Sequence, residues 1–223
     1  MGHPWGVSFL TLPRRNTLPL DLPDGSVGLS MPTQLHRHDE AGHIHYWTIT
    51  TFHRLKFFHD DGMKHVVIDS LRLLQSKHRV CLIGYVVMPE HVHVLILPHA
   101  KGSDSPIPIS TLLRDFKRYV GFHGKARLRD VWRQERQLWS KPLNDWAMGR
   151  LGKQAIWNKR GYDRNIFSEQ ELHEKLTYCH KNPTTRELVA TADQWKWSSY
   201  RFYEMNDRSP IAMDWNGRWP IEW

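Results

Sequence analysis

The chain has 223 residues, with 31 Lys and Arg against 23 Asp and Glu, a formal charge of +8. That length holds one well-buried domain with extensions rather than two large domains, and no apolar run approaches the roughly 18 residues of a membrane helix. Two cysteines, Cys81 and Cys179, do not make a disulfide framework and read as buried hydrophobes of a reducing compartment. The opening Met1-Gly2-His3-Pro4-Trp5 lacks the charged-then-apolar order of a secretory signal, so the expected location is cytoplasmic.

In chain order, residues 1–43 are rich in Pro, Gly and polar residues without a sustained period and read as a loosely ordered leader. His45-Tyr46-Trp47-Thr48-Ile49-Thr50-Thr51-Phe52 gives the first strand, with His43-Ile44-His45 as a surface or strand-start pair. A helix falls within Asp60 to Lys77, where Met63, Val67, Leu71 and Leu74 recur at helical spacing. Arg79 to Val87 is a mostly apolar strand, and Met88-Pro89-Glu90 turns the chain into His91-Val92-His93-Val94-Leu95-Ile96-Leu97. Residues two apart on a strand share a face, so His91 and His93 project side by side, and two neutral imidazoles on one rigid surface make half a metal site. In a chain with 15 histidines the pair alone is a weak signal.

A turn-rich loop over Lys101 to Pro108 precedes a helix over Ile109 to His123, with Leu112, Phe116 and Val120 as its apolar stripe. The adjoining stripe carries Asp115, Tyr119 and His123, each about 6 Å from the next along the axis. Residues 127–160 form a long connection with Trp132, Trp139 and Trp146 seven apart, and Pro142 bars a continuous helix there. Aromatics amid Arg127, Arg129, Arg133 and Arg136 suit stacking on unpaired bases, but tryptophans more often pack as core, and packing is the expectation. A short strand near Asn165-Ile166-Phe167 completes an α+β, ferredoxin-like antiparallel sheet, β-α-β-β-α-β, with helices on one face and the other face open to a metal, DNA or a partner. Ser168 caps a further helix through Leu172, Leu176 and Cys179 to Asn182-Pro183, the start of a helical C-terminal part. Tyr178 and His180 on that helix, and Ser198 and Ser199 beyond it, read as structural.

Charge is unevenly placed. Residues 114–164 hold 14 basic residues against 5 acids, while the rest of the chain holds 17 against 18. A field beginning on the Tyr119 helix attracts phosphate backbones through counterion release. Arg114, Lys117, Arg118, Lys125, Arg127, Arg129, Arg133, Lys159, Arg160 and Arg164 are the candidate DNA contacts.

A His-hydrophobic-His strand followed by a helix with Tyr and a ligand four residues later resembles the HUH single-tyrosine nucleases. Met88-Pro89-Glu90-His91-Val92-His93, Tyr162-Asp163-Arg164-Asn165-Ile166, Tyr178-Cys179-His180-Lys181-Asn182-Pro183 and Trp197-Ser198-Ser199-Tyr200 are similar to the REP-associated tyrosine transposase branch. The resemblance covers most of residues 44–203 and implies a catalytic domain over 44–183 and an extension over 184–223. It also implies cleavage of single-stranded DNA beside hairpin-forming repeats, a divalent ion, Mg²⁺ or Mn²⁺, and a nucleoid-associated protein. His91, His93 and His123 would hold that ion, which polarises the phosphate. Tyr119 would attack to leave a 5′-phosphotyrosine and a free 3′-OH, with Tyr162 and Tyr178 as the next candidates.

Two positions depart from the family. Gln or Asn usually stands where His123 does, and a third nitrogen ligand favours Mn²⁺ over Mg²⁺. Asn commonly precedes the first histidine, where this chain has Glu90; it reads first as a turn residue and second as a carboxylate supporting the metal, and Asp115 is a second candidate for that support. The alternative function is a catalytically silent DNA- or RNA-binding protein derived from such an enzyme. A three-histidine hydrolase of small molecules is disfavoured by the basic block. Monomer and homodimer both fit.

Overall fold

The computed structural model describes residues 43–98 and 107–219. The expected leader, His43 apart, lies outside the described residues, as does the stretch Lys101 to Pro108 apart from its last two residues. The elements are β1 (Ile44–Thr50), α1 (Asp61–His78), β2 (Cys81–Met88), β3 (His91–Leu97), α2 (Ile109–Glu135), α3 (Lys141–Ala147), β4 (Tyr162–Ile166), α4 (Glu169–Thr185) and α5 (Tyr200–Met205). The four strands form one antiparallel sheet in the order β2-β3-β1-β4, the ferredoxin-like arrangement expected from the pattern. No helix among the described residues is long and apolar enough to cross a membrane.

Strand alternation divides the sheet into two faces of different character. Trp47, Ile49, Val92, Val94 and Ile96 point to one face and bury themselves against Met63, Val67 and Leu71 of α1 and Leu112, Phe116 and Val120 of α2. The Phe116 ring lies 6.3 Å from that of Trp47. Truncating either fully buried aromatic would cost about 3–5 kcal/mol, so this contact locks α2 to its face. Asp60 caps α1 by accepting from Met63 N at 2.9 Å. The two helices approach closely at Gly124, where a Cβ would lie 2.9 Å from Met63 Cε. Neither Gly121 nor Gly124 stops α2, which runs 27 residues, well past the His123 boundary expected from sequence, and carries Arg114 through Arg133 on one rod about 40 Å long.

Across the long connection the tryptophans pack. Trp146 is buried with its ring 4.8 Å from Phe57, and Trp132 donates Nε1–H to Asn144 Oδ1 at 2.8 Å.

The second face is not open. Helix α4, capped by Ser168 accepting from Glu171 N at 3.2 Å, lies across it because Gly84 of β2 offers no side chain. A Cβ there would sit 2.5 Å from Leu176 Cδ1. Beyond α4, residues 197–199 run along the free edge of β2, with Val87 N donating to Trp197 O and Ser199 N to Tyr85 O, which removes an exposed strand edge. Gly84→Val should therefore overpack the α4 seat and lower stability by ~1–3 kcal/mol. Chemical denaturation checks this, and an unchanged midpoint would contradict the close approach.

Candidate active site

His91 and His93 leave β3 on the face roofed by α4, with ring centroids 4.7 Å apart. Across β1 they oppose Thr50 and Thr48. His93 Nδ1 lies 2.8 Å from Tyr46 Oη and 2.9 Å from Thr48 Oγ1, and His91 Nδ1 lies 3.3 Å from Glu90 Oε1. With the proton on Nδ1 donated to these oxygens, Nε2 of each ring carries the lone pair, the tautomer a metal ligand needs. His93 Nε2 is buried and makes no hydrogen bond. Burial, reinforced by the neighbouring His91, lowers the His93 pKa from 6.5 to about 3. His91 is also lowered by burial, with Glu90 pulling the other way. Burial raises the Tyr46 phenol, which stays protonated. The pair is thus neutral at neutral pH.

Helix α4 brings a second set of groups to the pair. The Tyr178 ring meets His93 edge-on at 5.3 Å, and 53 % of Tyr178 remains exposed. Two turns on, Arg186 Nη2 donates to Glu90 Oε1 at 2.9 Å. Tyr178, Asn182 and Arg186 follow one another at intervals of four, so buried Asn182 sits on the same stripe between the contact to His93 and the contact beside His91. Lys175 Nζ stands 5.7 Å from the Tyr46 ring centre. One helical face therefore presents a phenol, an amide and a guanidinium along the edge of the histidine pair.

No protein-family profile and no curated protein matches the sequence. Among solved structures, the chain is similar to a REP-associated tyrosine transposase bound to a REP hairpin, with a TM-score of 0.52 and 16 % identity, over 76 % of this chain and 83 % of that one. It has the fold of a REP-associated tyrosine transposase. A candidate transposase from Deinococcus radiodurans R1 is a further match, with a TM-score of 0.35 and 16 % identity over 65 % of this chain and 95 % of the other.

Within this transposase fold, Tyr119 and His123 are not where their spacing suggested. Their rings do pair on α2, 4.3 Å apart, but α2 packs through Phe116 against Trp47, on the face of the sheet opposite the pair. His123 is exposed. Among the described residues no cluster of three or more His, Cys, Asp and Glu is placed to hold a metal, so the triad of His91, His93 and His123 is not assembled. Asp115 is likewise remote, bonded to His78 at 3.0 Å and Lys77 at 3.3 Å at the end of α1. Glu90, by contrast, is a buried carboxylate on His91 and not merely a turn residue.

The basic block divides. Arg127 makes a bidentate pair with Asp60 at 3.0 Å, Lys117 donates to Asn158 O at 3.1 Å, Arg133 pairs with Asp130 and Arg114 with Asp115. Arg118, Arg129, Lys159 and Arg160 are exposed, and Lys125 is half-buried. Arg164 stands on the histidine face of β4, opposite Tyr46, and pairs with Glu171 at 2.7 Å. The strand-start pair His43-Ile44-His45 resolves differently from His91 and His93: His45 is buried, points to the other face and bonds Asp163 at 2.9 Å.

Asn182, Arg54 and Arg186 are not among the residues expected from sequence, and Tyr178 is expected there first as structural and only after Tyr119 as a candidate nucleophile, alongside Tyr162. The available signal was Tyr178-x-x-x-Asn182, the same spacing of four as Tyr119-x-x-x-His123.

His180, on the buried side of α4, accepts or donates to Ser199 Oγ at 3.0 Å, and burial lowers its pKa from 6.5 to about 3. Between those values the unfolded chain binds a proton that the fold refuses, for His180 as for His93. Their stability is full above pH 6.5 and is lost as pH falls toward 3, at up to about 1.4 kcal/mol per pH unit for each group. Denaturation midpoints measured across that window should fall less steeply for His180→Gln than for the wild type. Equal slopes would contradict a neutral, buried His180.

Proposed function

We propose that this chain is a metal-dependent single-stranded DNA endonuclease and strand transferase that cuts beside hairpin-forming repeats, with Tyr178 as the nucleophile. The observation that carries the reading is the edge contact of Tyr178 with His93 while Arg186, two turns along the same stripe, is bonded to Glu90 beside His91. The REP hairpin bound to the structural relative supplies the substrate class.

His91 and His93 through Nε2, with the amide oxygen of Asn182, would hold a divalent cation; two imidazoles and one oxygen suit Mn²⁺ and Mg²⁺. Asn182 then supplies the amide ligand that the family resemblance leads one to expect, four residues after the tyrosine. When bound, the ion withdraws charge from a non-bridging phosphate oxygen. The Tyr178 hydroxyl gives up its proton and attacks phosphorus in line, the new bond joining Oη to phosphorus as the bond to the 3′ oxygen breaks. The departing oxygen takes a proton to become a 3′-OH, and the strand stays attached as a 5′-phosphotyrosine. The phosphoester is conserved, so another 3′-OH can reverse the step and rejoin DNA without ATP. Tyr178 reaches the pair within one chain, so a single protomer supplies every named group.

The test is covalent capture on hairpin-bearing single-stranded DNA with Mn²⁺. Tyr178→Phe should abolish the adduct and Tyr119→Phe should leave it. His91→Ala and His93→Ala should each reduce cleavage by at least about 10²-fold, because each removes a ligand and its hydrogen bond, with DNA affinity changing far less. An adduct on Tyr178→Phe, or undiminished cleavage in EDTA, would overturn the assignment; a wild-type chain that binds the DNA but never forms an adduct would be a silent binding protein.

A further inference from the structure

Glu90 is only 5 % exposed, yet its Oε1 faces two guanidiniums: Arg186 Nη2 at 2.9 Å and Arg54 Nη2 at 3.5 Å, besides His91 Nδ1 at 3.3 Å. One carboxylate between two arginines leaves a net positive charge next to a neutral histidine pair. Each arginine meets Glu90 through one terminal nitrogen, and 49 % of the Arg186 side chain and 62 % of the Arg54 side chain remain exposed. A guanidinium has five N–H donors in a planar fork that matches a phosphate edge.

The backbone also holds Arg54 in place at a cost. His53 and Arg54 are consecutive residues in the left-handed region, at φ 50° and 55°. Such conformations are unfavourable by about 1–2 kcal/mol each for a side-chain-bearing residue. They are held by His53 N donating to Asn158 Oδ1 at 3.3 Å and by Thr51, whose hydroxyl is 2.7 Å from Leu55 O and 2.9 Å from Glu90 O. The same threonine thus anchors the Arg54 turn and the Glu90 backbone.

We propose that Arg54 and Arg186, held in register by Glu90, form a clamp for a phosphodiester of the strand that lies across the histidine pair. This rests on the single-stranded DNA reading of the site and adds two contacts outside the basic block of residues 114–164. Glu90 keeps the two cations from repelling each other before the strand arrives, and their outer donors take the phosphate oxygens.

The experiment uses the full chain carrying Tyr178→Phe, so that nothing is cut, and a fluorescent single-stranded oligodeoxynucleotide without a hairpin, titrated at several salt concentrations. Arg54→Gln and Arg186→Gln, each added to that background, should weaken binding about tenfold and lower the slope of log K against log salt by about 0.7 apiece. Circular dichroism should show both variants folded, and Arg54→Gln, away from α4, guards against a loss caused by a displaced helix. Arg54→Lys should recover the slope but not the full affinity, since it restores charge without the fork. Either Gln variant retaining the parent slope would overturn the clamp alone. A parent chain that fails to bind this oligonucleotide would overturn the clamp, and one that also fails to bind hairpin-bearing single-stranded DNA would overturn the DNA reading beneath it.

Discussion

The two-residue period of β3 is the constraint on which the rest depends. Val92, Val94 and Ile96 go to the face packed by α1 and α2, and His91 and His93 must then go to the other. A register slip of one residue would bury two imidazoles in the main core and turn three apolar side chains toward the polar groups under α4, so the packing that stabilises the sheet also fixes the direction of the histidines. Whatever chemistry the pair performs has to be completed by groups that reach that second face. In this chain they come from α4 and from the neighbouring strand β1.

Placing polar groups there is costly unless each is satisfied. Tyr46 and Thr48 take the Nδ1 side of His93, and Glu90 takes that of His91, itself balanced by Arg54 and Arg186. What remains is an Nε2 on His93 that is buried and without a hydrogen bond. The network spends its hydrogen-bonding capacity on orienting the rings and leaves the Nε2 lone pair of His93 uncommitted, which is the atom that the proposed metal mechanism requires. His45 provides the contrast within the same sheet: it is also buried, but its Nδ1 is bonded to Asp163 and it belongs to the packing of β1 on β4.

Much of this was legible in the sequence because it rests on local periodicity. The strand and helix order, the apolar stripes of α1 and α2, the Ser168 cap and the side-by-side histidines all follow from spacings of two, three and four. Which helix meets the histidines does not. A spacing of four puts Tyr119 beside His123 and equally puts Tyr178 near Asn182, and nothing in either segment says on which side of a sheet its helix will lie. The apolar stripe of α2 decides it, because Phe116 and Val120 belong with Trp47 and so carry Tyr119 to the far face. The role of Glu90 was hidden for a different reason: its partners, Arg54 and Arg186, are 36 and 96 residues away and enter through a left-handed turn and a helix end.

Tyr178 and the histidine pair share a face from which the sheet separates Tyr119. Mn²⁺ added below stoichiometry to the protein with ring-labelled tyrosines tests it directly by nuclear magnetic resonance, since paramagnetic broadening falls steeply with distance. The Tyr46 and Tyr178 ring signals should broaden well before that of Tyr119, and broadening of Tyr119 ahead of Tyr178 would contradict this arrangement.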